Sequence, residues 1–403
     1  MTGFKLVLAF IGRRPLTWAF HALTLALGVA VITALLLLSE GLSRRFDRDL
    51  AHIDLVVGAK GSPLQLILST VFALDNATGN IPLQTAEAVE HHPLVKFAVP
   101  VSLGDNYQGY RILGTWPSYG ELYGAELAQG RWWPANTPME TVIGSEVARK
   151  FHMHLGQVFA GWHGLTMGGE LHADTPYTVV GILKPTGAII DRLVLTDISS
   201  VWKVHEHEAV KEEGLTPDEA SAHRQVTAVL IKYKSTLGAI ILPNMVKAMP
   251  DIQAAVPAME TARLVTLLGT GADVLRGFGL GLLGLSALGF FVALFAAVNQ
   301  RHRELALLRA LGARPGRLFA LVAGEGLLLG LIGGLAGVAL GRGAAMIAAA
   351  ASSDTGGPAL AVPAFGAAEL TIVAAAVLLG FLASILPGLM AYRVNPAQTL
   401  QTG

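Results

Sequence analysis

Histidines are the side chains whose number and spacing first suggest chemistry, because ten of the twelve lie in one polar stretch between two long apolar runs. His152 and His154 form an HxH pair that could share one face of a strand. His205 and His207 lie in the run HEHE, where zinc ligands are plausible. Neither pair comes with third and fourth ligands at a recognisable spacing, and HEHE leads into charged residues 211–219, which are typical of a solvated helix. We therefore expect surface histidines, and no metal or other cofactor bound by this chain.

Nucleotide chemistry is not supported by the glycine pattern. The sequence contains no GxxxxGK[ST] phosphate loop, and its nearest approximation, the GAKGS run that begins at Gly58, has the wrong spacing. Other glycine clusters, such as Gly277, Gly279 and Gly281, fall in apolar runs, where glycine permits helices to approach closely. No acid–base or nucleophile constellation is recognisable, so we expect neither ATP hydrolysis by this chain alone nor a free-standing enzyme.

Composition indicates a membrane protein. Of 403 residues, 52% are hydrophobic and only 14% are charged, whereas about 25% are charged in soluble domains. Four apolar runs are long enough to cross a bilayer, at residues 16–39 and at about 275–298, 319–340 and 370–390. Cysteine is absent, which excludes disulfides and thiol chemistry and leaves the compartment open.

The first span is preceded by a short amphipathic segment, residues 4–15, that carries Lys5, Arg13 and Arg14. The apolar run of the first span, residues 16–39, exceeds the 7–15 apolar residues of a cleavable signal peptide. We therefore interpret this run as an uncleaved span that begins inside the cell. This divides the chain into residues 1–40, an extracytoplasmic domain at 41–270, and a membrane domain at 271–403. Alternating segments such as Tyr177–Leu183 and residues 226–233 predict strands and an α+β domain.

The loop between the second and third spans, residues 299–317, contains five arginines and a single acid. This charge places the loop in the cytoplasm. Apolar residues recur in it at helical spacing, at Ala306, Ala310 and the leucines Leu305, Leu308 and Leu311. Gly312 and Pro315 end the helix. Such a helix either docks into a groove on a soluble partner or lies at the membrane surface as an anchor, and the pattern alone does not choose between them.

Three stretches resemble the FtsX-like permease domain of MacB/LolC-type ABC transporters. They are RHRELALLRALGA at 301–313, GEGLLLG at 324–330 and Gly333-Gly334. Residues 140–159 and 177–192 look like the MacB-type periplasmic core domain, and the Asn-Pro-Ala run at 395–397 is similar to the family's C-terminal ending. The resemblance implies four transmembrane helices with a large α+β extracytoplasmic domain inserted between helices 1 and 2.

In that family, a coupling helix, here at about 300–313, inserts into the ATPase subunit. The residues that the resemblance assigns to docking are Glu304, Leu305, Leu308, Arg309, Ala310, Leu311 and Gly312. It also assigns Glu325, an acid inside span three, to a structural or coupling contact with this helix.

Span three carries two glycine ladders with four-residue spacing. The first is Gly326, Gly330 and Gly334, and the second is Gly333, Gly337 and Gly341. Smooth faces of this kind serve packing within one chain or between two chains. Because the resemblance implies two permease copies around two ATPases, we expect a dimer, formed with an identical chain or with a related permease.

The resemblance weakens at residues 55–82. Residues 64–74 in this region form an apolar run too short to span a bilayer, and are either a buried helix, which we favour, or an apolar lip at the membrane. If a substrate site exists between the outer domains, residues 56–74 are our candidate for its membrane-proximal edge.

The function that the resemblance implies is that of a permease subunit in a bacterial inner membrane, driven by a separate cytoplasmic ATPase that binds ATP and Mg²⁺. Its motion would serve export, extraction of a lipid-linked substrate, or mechanotransmission across the envelope. The alternatives are an FtsX-like regulator of a periplasmic partner and a component of a zinc-handling ABC system. Expected partners are the ATPase, a second permease, a periplasmic binding protein or lipoprotein, and membrane lipids, but no nucleic acid.

Overall fold

The computed structural model describes residues 12, 15–50, 52–164, 169–208, 224–354 and 361–394. Most of the predicted amphipathic segment, the charged residues 211–219 and the Asn-Pro-Ala run therefore lie outside the described residues. The chain forms two compact units. The sheet domain is Arg44–Leu267, and the helical unit combines Met1–Ser43 with Leu268–Gly403.

Helices and strands are numbered along the chain within the described residues. The helices are α1 (Pro15–Asp49), α2 (Pro63–Thr70), α3 (Leu83–Glu90), α4 (Tyr119–Leu122), α5 (Ser145–Phe151), α6 (Ile198–Glu208), α7 (Thr236–Lys247), α8 (Pro257–Gln300), α9 (His302–Ala310), α10 (Pro315–Asp354) and α11 (Ala367–Tyr392). The strands are β1 (Leu55–Ala59), β2 (Ile81–Pro82), β3 (Val95–Tyr107), β4 (Tyr110–Thr115), β5 (Leu127–Gly130), β6 (Glu140–Ile143), β7 (Val158–Phe159), β8 (Trp162–His163), β9 (Tyr177–Leu183), β10 (Val194–Asp197), β11 (Gln225–Val226), β12 (Ala228–Tyr233) and β13 (Ile252–Ala255).

The predicted fold class is confirmed. Among the described residues, four helices are long and apolar enough to cross a membrane: α1, α10, α11 and the part of α8 from Asp273 onward. The mixed α+β domain is inserted between the first and second of them. The helices are longer than the apolar runs, since α8 begins 18 residues before the predicted start of its span at about 275. Hydropathy detects only the apolar part of a helix, whereas backbone hydrogen bonding continues through the polar residues beside it.

Both glycine ladders of α10 pack against helices of the same chain. A Cβ added at Gly326 would lie 2.3 Å from the carbonyl oxygen of Gly380 on α11, and one added at Gly330 would lie 2.6 Å from that of Ala376. The second ladder faces α1, where a Cβ added at Gly337 would lie 2.5 Å from the Cβ atom of Val29. Of the two alternatives left open by the sequence, these faces serve packing within the chain, and the expected dimer stays a prediction.

The sheet domain is built on a mixed sheet with the strand order β13-β1-β12-β3-β4-β10-β6-β9-β5. Strand β7 pairs with β9, and β8 pairs with β3. Most pairs are antiparallel, while β10 is parallel to β4 and β6 is parallel to β9. Strand β9 alternates between buried and half-buried side chains, as its sequence pattern predicts.

Residues 177–192 form a strand, as the alternation predicts, followed by a helical turn. The chain after β9 passes through a 3₁₀ helix, Ile189–Arg192, before β10 begins. The Asp191 carboxylate holds this segment, because it accepts hydrogen bonds from the backbone N–H groups of Thr186 at 2.9 Å and Gly187 at 2.7 Å. An aspartate that captures local N–H groups favours a turn over a strand.

The short apolar run at residues 64–74 is a buried helix, as favoured from the sequence. Helix α2 begins at the N-cap Ser62, whose hydroxyl accepts a hydrogen bond from Gln65 N at 3.4 Å. Its Leu66 and Ile67 are fully buried. Val56 of β1 is also fully buried in the sheet, so the N-terminal part of the proposed membrane-proximal edge is not an exposed surface.

Candidate functional site

The helix predicted between spans two and three is α9, and its ends are set by local sequence. Arg301 precedes it, and the carbonyl of this residue accepts the first helical hydrogen bond, from Leu305 N, at 2.9 Å. At the C-terminus Gly312 has φ +97°, a left-handed conformation that favours glycine. Gly312 N donates to Arg309 O at 3.0 Å and Ala313 N donates to Leu308 O at 2.9 Å, the two hydrogen bonds of a Schellman motif.

One face of α9 is buried inside the helical unit. Leu305 is only 3% exposed and Ala306 is fully buried, in an apolar cluster formed with α8 and α10. The cluster members from those two helices are Phe290, Leu294, Val298, Leu318, Val322 and Leu329. Leu308 is half-buried and packs against the same cluster.

This packing corrects the predicted docking set. Leu305 packs inside the helical unit, away from any surface that a partner could contact, and Leu308 is half-buried. A helical stripe of leucines shows that one face is apolar, but intramolecular and intermolecular contacts produce the same stripe.

The opposite face and the C-terminal end of α9 are exposed to solvent in the single chain. Leu311 is 85% exposed and Leu307 is 51% exposed. Glu304, Ala310 and Gly312 are also exposed, and Arg309 is half-buried. Leu307 was missed because it lies off the predicted stripe. Two exposed leucines among charged residues form a surface that a protein groove could cover.

Glu325 lies ten residues after Pro315, almost three turns into α10, and is half-buried. The positive charge of Arg301, the residue that precedes α9, acts on the Glu325 carboxylate.

An ion pair between α10 and α11 was missed. Arg342 of α10 pairs with Glu369, a buried side chain in the first turn of α11, and Arg342 Nη2 also donates to Pro363 O at 2.6 Å. Glu369 Oε2 accepts a hydrogen bond from Gly366 N at 2.6 Å, which caps α11. No local spacing predicts this pair, because 27 residues separate the two side chains.

The histidines predicted as weak metal candidates do not form a site in the described structure. His152 and His154 are exposed in the turn after α5, and His152 has φ 51°, so the expected shared strand face is wrong. His205 and His207 lie on α6, and their side chains are outside the described part of the chain. A different set converges instead, Asp105 with His163 and His172.

Two buried groups lie beside that set. Arg111 is buried, which lowers the pKa of its guanidinium to about 10, although the carboxylates of Asp105 and Asp75 act in the opposite direction. Tyr177 is fully buried, and this burial raises the pKa of its phenol well above the ordinary value, with the negative charge of Asp105 adding to the effect. Arg111 remains charged and Tyr177 remains neutral at physiological pH.

Comparison with known proteins gives two family matches that together cover most of the chain. Residues 19–237 match the MacB-like periplasmic core domain, and residues 276–396 match the FtsX-like permease C-terminal domain.

The curated relatives of the chain are distant in sequence. The macrolide export ATP-binding/permease protein MacB of Shewanella oneidensis is 23% identical over 98% of this chain and 60% of its own length. The pyoverdine export ATP-binding/permease protein PvdT of Pseudomonas putida is 23% identical over 95% of this chain and 57% of its own length. The chain thus spans about 60% of the length of these relatives. Among solved structures, the periplasmic region of MacB from Actinobacillus actinomycetemcomitans matches 54% of this chain and 95% of its own, with 11% identity and a TM-score of 0.34.

Proposed function

This chain belongs to the MacB/FtsX-like (type VII) family of ABC transporter permeases, and from that membership we propose that it is the membrane subunit through which a separate ATPase moves an extracytoplasmic domain. The relatives that it matches are ATP-binding/permease proteins. The present sequence contains both permease-type domains but no phosphate loop. We propose that ATP and Mg²⁺ bind to the partner, and that this chain is a multi-pass protein of the bacterial inner membrane.

The observation that carries the proposal is the division of α9 into two faces. Leu305 and Ala306 fix the helix to α8 and α10, while Leu307 and Leu311 are exposed beside it. A partner bound to the exposed face would therefore move the spans together with α9, because close-packed interiors transmit displacement.

The extracytoplasmic domain is joined in the chain to the first and second spans, so a displacement of α8 acts on its C-terminal connection. We propose that this motion expels a ligand already outside the cytoplasm or extracts a lipid-linked one. A periplasmic binding protein or lipoprotein would then be a further partner.

A second permease copy is also part of the proposal, and α8 offers the open surface for it. A Cβ added at Gly277 or Gly281 would meet no atom within 4 Å, and the neighbouring Phe278 and Leu285 are exposed. Since the chain has no cysteine, a single Leu285→Cys variant tests this surface. Oxidation should join two copies through it, whereas Leu370→Cys, exposed on α11, should remain monomeric. Equal cross-linking of both variants would contradict the assignment.

The function is tested by purifying the tagged full chain from membranes of its own host. We expect an ATP-binding protein to copurify, identified by mass spectrometry, together with ATP hydrolysis that a Leu311→Asp variant loses while it still inserts into the membrane. Hydrolysis by the chain without any companion, or equal recovery of the ATP-binding protein with Leu311→Asp, would refute the proposal. In liposomes, stimulation of hydrolysis by the transported compound distinguishes transport from regulation of a periplasmic partner.

A further inference from the structure

Strand pairing brings together three metal-ligating side chains that are distant in sequence. Asp105, near the end of β3, is the register partner of His163 on β8. The chain then turns back, since His163 N donates to Glu170 O at 2.9 Å and His172 N donates to Gly161 O at 3.0 Å. The two arms of this hairpin place both imidazole rings beside one carboxylate.

The distances suit an ion between the three groups. His172 Nε2 lies 3.3 Å from Asp105 Oδ1, and His163 Nδ1 lies 3.8 Å from the same oxygen. All three potential ligand atoms lie within 4.8 Å of one another. A separation of 3.8 Å is too long for a hydrogen bond. Tetrahedral ligands at zinc–ligand distances of 2.0–2.2 Å are about 3.3–3.6 Å apart, which is close to the observed spacing.

Burial requires that the Asp105 carboxylate be compensated. Its side chain is only 4% exposed, and a buried carboxylate without a cation is costly. The Tyr177 phenol and the charge of Arg111 act on this carboxylate, but the described hydrogen bonds of Arg111 go to the backbone oxygens of Gly164, at 3.3 Å, and Asp75, at 2.9 Å. His163 is 51% exposed, so the cluster opens to solvent on one side. A bound ion would compensate the carboxylate and keep one coordination position accessible to water.

The hairpin that supplies the histidines is held by residues that are not ligands. Asn106 is fully buried, and its Nδ2 donates to Trp162 O at 3.1 Å and to Gly164 O at 3.0 Å, on both sides of His163. Gly169 permits the return of the chain, because a Cβ there would lie 2.1 Å from His163 O. Outer contacts that fix the orientation of ligands are typical of metal sites.

We propose that Asp105, His163 and His172 form a binding site for a divalent transition-metal ion in the sheet domain, with Zn²⁺ as the ion that the donor set fits best. Two imidazole nitrogens and one carboxylate oxygen suit zinc, whereas Mg²⁺ and Ca²⁺ prefer oxygen ligands throughout. Three protein ligands leave a fourth position for water or another ligand. The proposal differs from the sequence-based expectation of a chain without a metal, and it is independent of the proposed transport function.

The test uses the full chain in detergent, purified with a tag that contains no histidine and stripped with a chelator. Equilibrium dialysis against Zn²⁺ should leave one tightly held equivalent. Asp105→Asn, His163→Ala and His172→Ala should each weaken this binding by more than the roughly 10–100-fold that loss of an outer-shell contact causes. His154→Ala, which removes an exposed histidine of the same domain, should bind Zn²⁺ as the parent chain does.

Two further measurements separate loss of the site from loss of the fold. Co²⁺ should give the parent chain the visible absorption of a four-coordinate nitrogen and oxygen site, and the three variants should lack it. Thermal unfolding without metal should show that Asp105→Asn remains folded, and Zn²⁺ should raise the midpoint of the parent but not of that variant. Absence of a retained equivalent in the parent, or equal retention by the ligand variants and His154→Ala, would overturn the proposal.

Discussion

The exposed leucines of α9 allow the docking energy to be worked out from the structure. Leu→Ala removes three carbon atoms, worth about 0.8 kcal/mol each when they pass from water into an apolar contact. Scaled by the exposed fractions of 85% for Leu311 and 51% for Leu307, complete burial at an interface would contribute about 2 and about 1.2 kcal/mol. The Leu307→Ala/Leu311→Ala double variant should therefore bind the ATPase on the order of 100-fold more weakly, at 1.4 kcal/mol per tenfold.

The assay measures the affinity of the permease, reconstituted in nanodiscs, for the ATP-binding protein that copurifies with it. Two matched variants accompany the double variant. Leu155→Ala removes an exposed leucine from the sheet domain and should leave the affinity unchanged. Leu305→Ala creates a cavity in the helical unit, so it should lower the free energy of unfolding by about 2–5 kcal/mol.

The reasoning fails if the double variant binds as tightly as the parent chain. It also fails if Leu305→Ala, with unchanged stability, is the variant that weakens binding, because the buried face would then be the docking face.

Three further predictions concern stability. Arg342→Ala leaves the Glu369 carboxylate buried without its partner and should lower the free energy of unfolding by about 3–5 kcal/mol. Adding Glu369→Gln should restore part of this loss in a thermal unfolding assay, and no recovery in the double variant would contradict the pairing. Gly330→Ala should destabilise the helical unit by about 1–3 kcal/mol, whereas Gly343→Ala, where a Cβ meets nothing within 4 Å, should not. Equal thermal unfolding midpoints for the two variants would argue against the packing described. Burial raises the pKa of Tyr177, so the contribution of this phenol to stability is complete below the unfolded-state pKa of about 10 and is lost as the pH rises above that value. Tyr177→Phe should reduce this alkaline loss of stability, measured by circular dichroism, and an unchanged pH profile would refute the prediction.

The spans and several strands were predictable because their signals are local. Hydropathy over about twenty residues located the membrane helices, and alternation located Tyr177–Leu183. The 3₁₀ helix after that strand was not predicted, because Asp191 captures backbone N–H groups that a strand pattern would leave for the sheet.

The candidate site was predictable only in outline. The position and termination of α9 follow from its leucines and Gly312, but the choice between Leu305 and Leu311 as the exposed residue depends on where α8 and α10 pack. Glycine ladders likewise show that a helix is contacted closely, while the identity of the contacting helix is tertiary information.

The metal-ligating cluster had no local signal at all. Asp105 and His163 are 58 residues apart and meet only because β3 pairs with β8. The HxH pair at His152 and His154 has the more suggestive spacing, but the left-handed backbone at His152 places it in a turn. Proximity in sequence was therefore a poor guide to the ligand set.

The most direct test of the account is photo-crosslinking in living cells with a benzoylphenylalanine residue placed at Leu311 or at Leu305. The account predicts that the probe at Leu311 captures a cytoplasmic ATP-binding protein, while the probe at Leu305 reacts only within the permease, because the former side chain is exposed and the latter is buried. Capture of an extracytoplasmic protein at Leu311, or of the ATP-binding protein from Leu305 and not from Leu311, would contradict it.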